Sequence, residues 1–415
     1  MRRVVVTGTG VVCPVGNCVQ QAWSALVQGR SGIGTVSRWK EKGLGVTVGG
    51  EVKNFQPQDF IQPPKDIRRM DRLMHLAIAA SVEAWQQAGF PSKLQSEQAD
   101  KAGAIVGVGF VGLDFLLNMH DVLQQQSPQR VSPFLVPAMI SNLVPGYLSI
   151  RYGLQGGNWS VSSACASGNH AIGEAFNHIR QGLADVMLAG GAESAMHPLA
   201  AAGFCNMRAL CTSKNDSPQE ASRPFDRDRD GFVMGEGSGL LVLEEYKHAK
   251  KRGASILAEL VGYGFSSDAY HITAPSPGGQ GAQKAMLYAL DQAKINPKDV
   301  DYVNAHGTST PYNDSTETRA IHSVFGDHAK KLQISSTKSM TGHLLGAAGG
   351  IEAVFCVQAL QRGELPPTIN YQTSDPECDL DYIPNESRQC RVKTVMSNAF
   401  GFGGSNAVLI FRRAS

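Results

Sequence analysis

Short runs of apolar, mostly β-branched residues alternate along the chain with longer segments in which apolar residues recur every three to four positions. The first pattern is typical of buried strands and the second of helices with one buried face. The predicted strands are Val4–Val6, Gly103–Val108, Val186–Ala189, Leu240–Leu243, Leu257–Gly262, Tyr302–Ala305, Gln333–Ser335, Val395–Met396 and Ala407–Phe411. The predicted helices are Val19–Gln28, Met74–Ala88, Ala166–Gly182, Gly281–Ala293, Ser315–Phe325 and Ala347–Gln361. This alternation favours an α/β fold with mainly buried strands, and we interpret the less regular residues 114–145 as an insertion.

The two halves of the chain repeat one another. The matched segments are Val4–Gly16 with Leu257–Ser267, Ala104–Gly109 with Tyr302–Gly307, Ser160–Gly168 with Ile334–Gly342, Val186–Glu193 with Thr394–Gly401, and Gly237–Leu243 with Gly404–Ile410. Matches in the same order indicate a duplication, although any α/β chain contains similar strand, glycine and helix stretches. The Lys-rich stretch Lys247–Ala254 joins the repeats, so we predict an N-terminal half over residues 1–253 and a C-terminal half over 254–415. Because no long linker separates them, the halves are expected to pack as one body.

Composition and charge argue against several classes of function. The 415 residues carry 38 Lys and Arg against 36 Asp and Glu, a balance that disfavours binding to nucleic acid or to an anionic membrane. No apolar run reaches the ~18 residues of a membrane span. The apolar run after Arg2 and Arg3 ends at Thr7, too early for a signal peptide. The eight cysteines form no CxxC pair, which predicts reduced thiols, a cytoplasmic location and no zinc site.

Cys165 is the strongest candidate for a nucleophile. It lies in the small-residue segment Ser162–Gly168, between a strand and the start of a helix. Unpaired amides and the helix dipole at that position favour a thiolate, and the small neighbours leave room for a substrate. The alternative is a buried structural cysteine, which is the usual state of a free cysteine.

Two histidines and a lysine in small-residue turns extend this candidate site. His306 directly follows a predicted strand, and His343 precedes a Gly- and Ala-rich helix. Lys338 is the repeat equivalent of Cys165, and a buried lysine needs a carboxylate partner, for which Glu352 is the natural candidate. If a pseudo-twofold axis relates the halves, equivalent strand ends converge. One pocket would then contain Cys165, His306, Lys338 and His343. The alternatives are ordinary core or surface histidines and an exposed lysine.

Two glycine-rich segments follow predicted strands. Ala399–Asn406 lacks the GK[ST] of a phosphate-binding loop, and its free backbone amides beside a thiolate could form an oxyanion hole; a tight turn is the alternative. Gly107–Gly112 spells G-x-G-x-x-G, but no helix with an acidic residue follows at the distance that a dinucleotide site requires. The sequence therefore gives little support to nucleotide binding.

Together these residues resemble the β-ketoacyl-[acyl carrier protein] synthase family, in the type II form that serves fatty-acid synthesis. The resemblance covers essentially the whole chain. Its motifs are Ser163-Ala164-Cys165, Asn304–Thr310 followed by Pro311, Ser335–Gly346, Asn398–Asn406, and Arg223–Asp226 with Asp230–Phe232. It implies the thiolase fold, with two duplicated αβ halves in a five-layer αβαβα arrangement, and a homodimer.

The resemblance also implies a role for each candidate catalytic residue. Cys165 would accept the acyl group as a thioester. The backbone amides of Cys165 and Phe402 would stabilise the oxyanion, and the Phe402 ring would be the gate of the acyl pocket. His306 and His343 would donate hydrogen bonds to the thioester oxygen of malonyl-carrier protein while decarboxylation forms an enolate. The expected reaction adds two carbons to the acyl chain and releases CO₂.

Further residues would support this chemistry. Lys338 would maintain the electrostatic field and the geometry of the site through Glu352, rather than donate a proton. The residues expected to bind the phosphopantetheine arm are Thr273, Thr308 and Thr310. The positions that hold a monovalent cation, Na⁺ or K⁺, in some relatives are Asn304, Glu352, Ser397 and Asn398. The basic positions expected to dock the acidic acyl carrier protein are Lys65, Arg68, Arg69 and Arg208. No other cofactor is implied.

Two positions depart from the family pattern. Phe110, at the far end of the acyl pocket, is usually a smaller aliphatic residue in long-chain members, so we expect a shorter pocket and a preference for short or medium acyl primers. Ala274 stands where relatives often carry Ser, which removes one possible contact to pantetheine and leaves Thr273 as the partner.

Other functions share some of these features. A type II polyketide-type ketosynthase with an unusual primer is the main alternative, because its motifs are the same. A biosynthetic thiolase is disfavoured because Phe400–Ser405 holds no second cysteine, and a synthase that uses coenzyme A to start chains is disfavoured because His343 replaces the expected Asn. A non-catalytic chain-length factor would lack Cys165. We therefore predict a 3-oxoacyl-[acyl carrier protein] synthase activity.

Overall fold

The computed structural model describes residues 1–414 and arranges them around one large mixed sheet. Within this part of the chain the strands are β1 (Val4–Val12), β2 (Gly34–Thr35), β3 (Val48–Gly49), β4 (Ala102–Gly107), β5 (Asn158–Val161), β6 (Val186–Glu193), β7 (Gly237–Glu245), β8 (Ala258–Ser267), β9 (Tyr302–Asn304), β10 (Gln333–Ser335), β11 (Glu364–Leu365), β12 (Arg388–Gln389), β13 (Thr394–Gly401) and β14 (Ser405–Arg412). The α-helices are α1 (Val19–Val27), α2 (Ser37–Glu41), α3 (Arg72–Ala88), α4 (Glu97–Asp100), α5 (Leu113–Gln125), α6 (Leu135–Met139), α7 (Leu143–Tyr152), α8 (Ser167–Arg180), α9 (Pro198–Asn206), α10 (Tyr246–Lys251), α11 (Gln280–Ala293), α12 (Pro311–Phe325), α13 (Lys338–Thr341) and α14 (Ala348–Arg362). Two short 3-10 helices, Pro64–Arg69 and Phe402–Gly404, carry residues of the predicted site.

The central sheet is mirrored about its middle. Its strand order is β10-β9-β13-β14-β8-β1-β7-β6-β4-β5, with β1 and β8 antiparallel at the centre. Outward from this centre, four pairs of strands take equivalent places in the two halves: β7 and β14, β6 and β13, β4 and β9, and β5 and β10. The outer strands of each half are parallel to their neighbours. These are the segment pairs that match in the sequence, so the predicted duplication and thiolase fold are confirmed. The boundary at residues 253 and 254 stays a prediction.

Helices complete five layers with the two halves of the sheet. α3 and α7 cover the N-terminal half, α11 and α12 cover the C-terminal half, and α8 and α14 lie between them. The outer helices approach the strands closely. A Cβ atom at Gly8 would lie 2.0 Å from the carbonyl oxygen of Ala84 in α3, and one at Gly10 would lie 1.9 Å from that of Ala80. Small residues in both elements therefore set the spacing between helix and sheet.

The structure adds elements that the pattern of apolar residues did not predict. β1 continues to Val12, and β5 is a strand although it was absent from the predicted set. Residues 114–145 contain most of α5 and all of α6. α7 begins within the same segment, where Pro145 and Gly146 in its first turn obscure the helical pattern. No helix in residues 1–414 is both long enough and apolar enough to cross a membrane.

Candidate active site

A cavity of about 460 Å³ opens where strand ends of the two halves meet. Residues that follow β4, β5, β9 and β13 line it. The predicted site residues in its lining are Phe110, Cys165, Arg208, Thr273, Thr308, Thr310, His306, His343 and Phe402. Lys338 and Glu352 are buried outside the lining. The structure thus brings together residues that the sequence repeat placed at equivalent strand ends.

Cys165 occupies a tight turn between β5 and α8. Ala164 adopts a left-handed backbone with φ of 51°, which costs a non-glycine residue some strain. The backbone N–H of Ser163 donates to Oγ of Ser167 at 2.9 Å and closes the turn. Cys165 is 7% exposed and faces the cavity, so a substrate can reach its sulfur only through that cavity.

Two histidines flank the sulfur. Sγ of Cys165 and one ring nitrogen from each of His306 and His343 lie within 4.8 Å of one another. The two imidazole rings are nearly perpendicular, with centroids 5.3 Å apart. Nδ1 of His306 and both ring nitrogens of His343 are buried without a hydrogen-bond partner in residues 1–414. These nitrogens are therefore free to bind a substrate oxygen.

Burial sets the protonation state of the three side chains. It lowers the pKa of His306 and of His343 well below the ordinary histidine value, and the nearby Lys338 lowers both further, so both rings are neutral at pH 7. Burial also raises the pKa of the Cys165 thiol to about 11, while the amides of Phe402 and Cys165 and the charge of Lys338 oppose this rise. The expectation of a thiolate from the helix terminus is therefore wrong in direction, because desolvation outweighs the local dipole.

Lys338 forms a buried ion pair with Glu352. Nζ of Lys338 donates to Oε1 of Glu352 at 2.5 Å, and each side chain is 1% exposed. Lys338 begins the one-turn helix α13 after β10, the position equivalent to Cys165 after β5. The pair places a fixed positive charge close to the sulfur and both histidines.

The turn that carries Phe402 packs directly on the Cys165 turn. A Cβ atom at Gly401 would lie 2.7 Å from the carbonyl oxygen of Ser163 and 3.1 Å from the amide nitrogen of Cys165. On the other side, the N–H of Gly403 donates to the carbonyl of Ile272 at 2.8 Å. The amides of Phe402 and Cys165 both lower the pKa of the Cys165 thiol, so the two turns together direct N–H groups toward the sulfur.

The remaining lining divides into a polar entrance and an aromatic wall. Oγ1 of Thr308 and Oγ1 of Thr310 lie 2.9 Å apart, and Thr273 and Ala274 belong to the same lining. The Phe110 ring packs edge-on against Phe204 with centroids 6.2 Å apart and is 41% exposed. The lining therefore contains both threonine hydroxyls and phenylalanine rings, and the Phe110 ring is partly exposed.

The predicted docking residues fall into two groups. Arg208 is exposed and belongs to the cavity lining. Lys65, Arg68 and Arg69 lie on the 3-10 helix Pro64–Arg69 and do not line the cavity. Lys65 and Arg68 are exposed, whereas Arg69 pairs with Asp66 at 2.7 Å.

The predicted cation residues carry buried polar atoms without partners. Oδ1 of Asn304, Oε2 of Glu352, Oγ of Ser397 and Oδ1 of Asn398 are buried and make no hydrogen bond in residues 1–414. Asn304 and Ser397 are direct neighbours across β9 and β13. Buried oxygen atoms usually have partners, so this donor set fits a hard cation such as Na⁺ or K⁺.

One buried residue at the site, Glu317, was missed from the sequence. Its carboxylate accepts the N–H of His306 at 2.9 Å and that of Gly307 at 2.8 Å, and Nδ2 of Asn398 donates to it at 3.0 Å. Glu317 thereby fixes the loop that carries His306. Its spacing of three, four and seven from Ala320, Ile321 and Val324 places it on the apolar face of α12, a signal that could have identified it.

Comparisons with known proteins agree along the whole chain. The family model described as "Beta-ketoacyl synthase, N-terminal domain" matches residues 1–249, and that described as "Beta-ketoacyl synthase, C-terminal domain" matches residues 257–372. The 3-oxoacyl-[acyl-carrier-protein] synthase 2 of Synechocystis sp. is 49% identical over 412 residues, covering 99% of this chain and 98% of the relative. The protein of the same name from Coxiella burnetii is 46% identical, with 99% of each chain covered.

Solved structures share the fold over the full length. A β-ketoacyl synthase from Burkholderia phymatum superposes with a TM-score of 0.91 at 39% identity, covering 100% of both chains. A ketosynthase structure solved with its type II polyketide acyl-carrier protein and a bound hexaketide gives a TM-score of 0.90 at 35% identity, again covering 100% of both chains.

Proposed function

The chain belongs to the β-ketoacyl synthase family, and from that membership we propose that it is a 3-oxoacyl-[acyl carrier protein] synthase that lengthens fatty acyl chains by two carbons. The observation that carries the proposal is the cavity in which Sγ of Cys165 lies within 4.8 Å of nitrogens from two buried, neutral histidines. A nucleophile beside unpaired hydrogen-bond donors in a dry pocket suits acyl transfer followed by decarboxylation.

In the first step, Cys165 attacks the carbonyl carbon of an acyl thioester on the carrier protein. The bond from that carbon to the sulfur of the phosphopantetheine arm breaks, a thioester to Sγ forms, and the cysteine proton leaves with the carrier thiol. The amides of Cys165 and Phe402 hold the tetrahedral oxyanion, since both already face the sulfur. One such donor is typically worth about 2.7–4 kcal/mol of barrier.

In the second step, malonyl-carrier protein loses CO₂, and the electron pair of the broken C–C bond forms an enolate. His306 and His343 donate hydrogen bonds to the enolate oxygen, which their neutral state and unpaired nitrogens allow. The enolate carbon attacks the thioester of Cys165, the bond to Sγ breaks, and Sγ takes up a proton. Lys338, in its ion pair with Glu352, keeps a positive charge close to the reacting groups in both steps.

The test follows the mass of the intact protein. Incubation with acyl-carrier proteins of graded chain length should add one acyl group, which Cys165→Ala abolishes, and malonyl-carrier protein should then release a product two carbons longer. No adduct with any fatty primer, from correctly folded protein, would overturn the fatty-acid assignment. That outcome would favour a type II polyketide-type ketosynthase, a class of which one solved member shares the fold at 35% identity.

Phe110 restricts the primers to short or medium chains in this proposal. Its ring packs edge-on against that of Phe204, and both rings belong to the cavity lining, which supports this restriction. Phe110→Ala removes the ring and should extend the accepted length, read as the longest primer that still acylates Cys165. Equal rates with eight- and sixteen-carbon primers in the unmodified protein would contradict the restriction.

Acyl carrier protein is the proposed partner, and exposed Arg208 in the cavity lining together with exposed Lys65 and Arg68 supports this. Thr273, Thr308 and Thr310 receive its phosphopantetheine arm in the entrance. Charge reversal by Arg208→Glu should raise KM for the carrier-bound substrate and lower its salt dependence, because a rim charge acts mainly on association. All eight cysteines are free, which supports a reducing, cytoplasmic location for a proposed homodimer.

A monovalent cation is proposed at Asn304, Glu352, Ser397 and Asn398. When bound, it would supply positive charge to oxygens that otherwise lack partners. Tm should then be higher in KCl or NaCl than in choline chloride at equal ionic strength, because a ligand of the folded state stabilises it. The same Tm in all three salts would refute the site.

A further inference from the structure

Glu193 is a fully buried carboxylate that the proposed mechanism does not use. It ends β6, is 0% exposed, and makes no ion pair with any basic side chain in residues 1–414. Its oxygens instead accept backbone N–H groups from Gly109 at 3.0 Å, Phe110 at 3.1 Å and Gly346 at 3.1 Å. Burial raises the pKa of this carboxyl to about 8, and the amides oppose the rise. Burial of an acidic side chain without a cationic partner costs free energy of folding. Its retention here therefore points to a role for its hydrogen bonds that an apolar residue could not fill.

The three amides come from two separate walls of the cavity. Gly109 and Phe110 follow β4 and line the cavity in the part that the proposed function assigns to the acyl chain. Gly346 follows Leu345, another lining residue, and lies three positions after His343. One carboxylate therefore joins the acyl end of the cavity to the segment that carries a histidine of the site.

The packing around this junction leaves no room for adjustment. A Cβ atom at Gly109 would lie 2.3 Å from Oε2 of Glu193, and one at Gly346 would lie 2.9 Å from the same oxygen and 2.4 Å from the amide nitrogen of Gly109. Backbone meets backbone across the carboxylate, so its position fixes both walls.

We propose that Glu193 is a positioning residue that holds Phe110 at a set distance from Cys165 and thereby sets the length of the acyl pocket. The proposal rests on the proposed function insofar as the pocket receives acyl chains. Oε1 accepts the N–H of Phe110 alone, at 3.1 Å, whereas Oε2 accepts those of Gly109 and Gly346 and, at 3.3 Å, also that of Phe110. Glu193→Gln keeps the size of the side chain and one accepting oxygen, but it turns an NH₂ donor toward the N–H of Phe110. The two donors repel, so Phe110 keeps only its longer bond to Oε2 and is held less tightly, while the bonds of Gly109 and Gly346 survive.

The experiment measures pocket length without requiring condensation. Cys165 is alkylated with N-alkyl iodoacetamides whose tails run from four to sixteen carbons, and the rate for each is read from intact mass, with Cys165→Ala correcting for other thiols. In the unmodified protein the rate should fall about tenfold at a limiting length. In Glu193→Gln that limit should move to longer tails, whereas the rate with the shortest tail should change less than about threefold. With carrier-bound primers, Glu193→Gln should show the same shift in limiting length. It should lower KM for long primers while kcat changes little.

Glu244→Gln is the matched control. Glu244 is buried at the opposite end of the β6–β7 pair, bound to Arg252 and His248 at 2.6 Å. The Glu244→Gln variant should have a lower Tm but the same limiting tail length as the unmodified protein. Glu193→Asp, whose shorter side chain draws both oxygens back from the amides, tests the same displacement if Glu193→Gln does not fold.

An identical limiting length in the unmodified protein and in a folded Glu193 variant overturns the proposal, as does the absence of any limit in the unmodified protein. Phe110→Ala alone should lengthen the pocket, and adding Glu193→Gln to it should have no further effect on the limit. Failure of condensation with an intact alkylation pattern would instead reject the proposed function and leave the role of Glu193 standing.

Discussion

Cys165 experiences two opposing influences that the structure separates. Its burial raises the pKa of the thiol, whereas the N–H groups of Phe402 and Cys165 and the charge of Lys338 lower it. The same N–H groups are those that the proposed oxyanion needs. The pocket therefore stabilises negative charge better on the oxygen of a tetrahedral intermediate, which forms only during reaction, than on the resting sulfur.

This balance predicts how Cys165 reacts with iodoacetamide as the pH rises. With a pKa of about 11, the thiolate fraction grows about tenfold per pH unit at every pH below that value. The alkylation rate at Cys165 should therefore keep rising between pH 7 and pH 10. Lys338→Met should slow the reaction at each pH, since it removes a charge that favours the thiolate. Peptide mapping isolates Cys165 from the half-buried Cys18, Cys205 and Cys390. A plateau near neutral pH would show that the thiol is already ionised there.

The ion pair of Lys338 and Glu352 predicts strong coupling between the two residues. Lys338→Met leaves the buried carboxylate of Glu352 without its partner and should cost about 3–5 kcal/mol of unfolding free energy. The double variant Lys338→Met with Glu352→Gln removes both charges and should be more stable than the sum of the two single losses predicts. Urea denaturation of the four proteins measures the coupling. Additive losses would mean that the two side chains do not stabilise one another.

The two central helices are positioned by glycines rather than by interlocking side chains. In α14, a Cβ atom at Gly350 would lie 2.4 Å from the carbonyl oxygen of Gly239 in β7 and 2.5 Å from the amide nitrogen of Gly191 in β6. In α8, a Cβ atom at Gly168 would lie 2.6 Å from the amide nitrogen of Gly350 itself. The turn of Cys165 at the start of α8 and the helix that carries Glu352 are thus held in register by direct backbone contact.

Gly350→Ala should therefore destabilise the fold, although alanine favours helices. Neither β6 nor β7 can move away, because both are central strands, and overpacking of this kind costs roughly 1–3 kcal/mol or more. Gly203→Ala is the control: Gly203 is also helical, in α9, but a Cβ atom there meets nothing within 4 Å. That variant should gain up to about 1 kcal/mol from helix propensity alone. Equal Tm values for the two variants would mean that α14 can shift on the sheet.

The sequence alone predicted the parts of the fold and of the site that depend on a local pattern of residues. The repeat predicted the mirrored sheet, and turns after strands identified Cys165, His306 and His343. A strand was expected before Cys165, but the apolar pattern gave no bounds for β5 because Asn158 and Ser160 interrupt its apolar run. Glu193 was also missed, because the amides that surround its carboxylate come from residues distant in the chain and gather there only in the folded protein.

At the scale of the molecule, the mirrored sheet leaves two edge strands, β10 and β5. β5 is one edge strand, and it leads directly into the turn of Cys165. Exposed apolar side chains lie on the neighbouring α5 and α6 segment: Leu116, Leu123, Val136 and Ile140. An unprotected edge beside such residues is typical of a strand that pairs with another chain. A dimer formed there would place the active-site turns of both copies close to the interface.

The proposed homodimer can be tested at a single backbone amide on β5. The carbonyls of Gly157 and Val161 accept N–H groups of β4 at 3.0 and 2.9 Å, so the alternation of a strand turns the backbone of Ser160 toward the open edge. Ser160→Pro removes that outward N–H without breaking the pairing with β4, and it should shift the protein toward monomer in sedimentation velocity at micromolar concentration. Ser160→Ala loses the same bond from Oγ to Ser141 but keeps the amide, so it should remain dimeric. If both variants sediment as the unmodified protein does, the chain does not dimerise through this edge. Dependence of Tm on protein concentration in Ser160→Ala but not in Ser160→Pro would confirm that the amide links two copies, because only an associating protein gains stability with concentration.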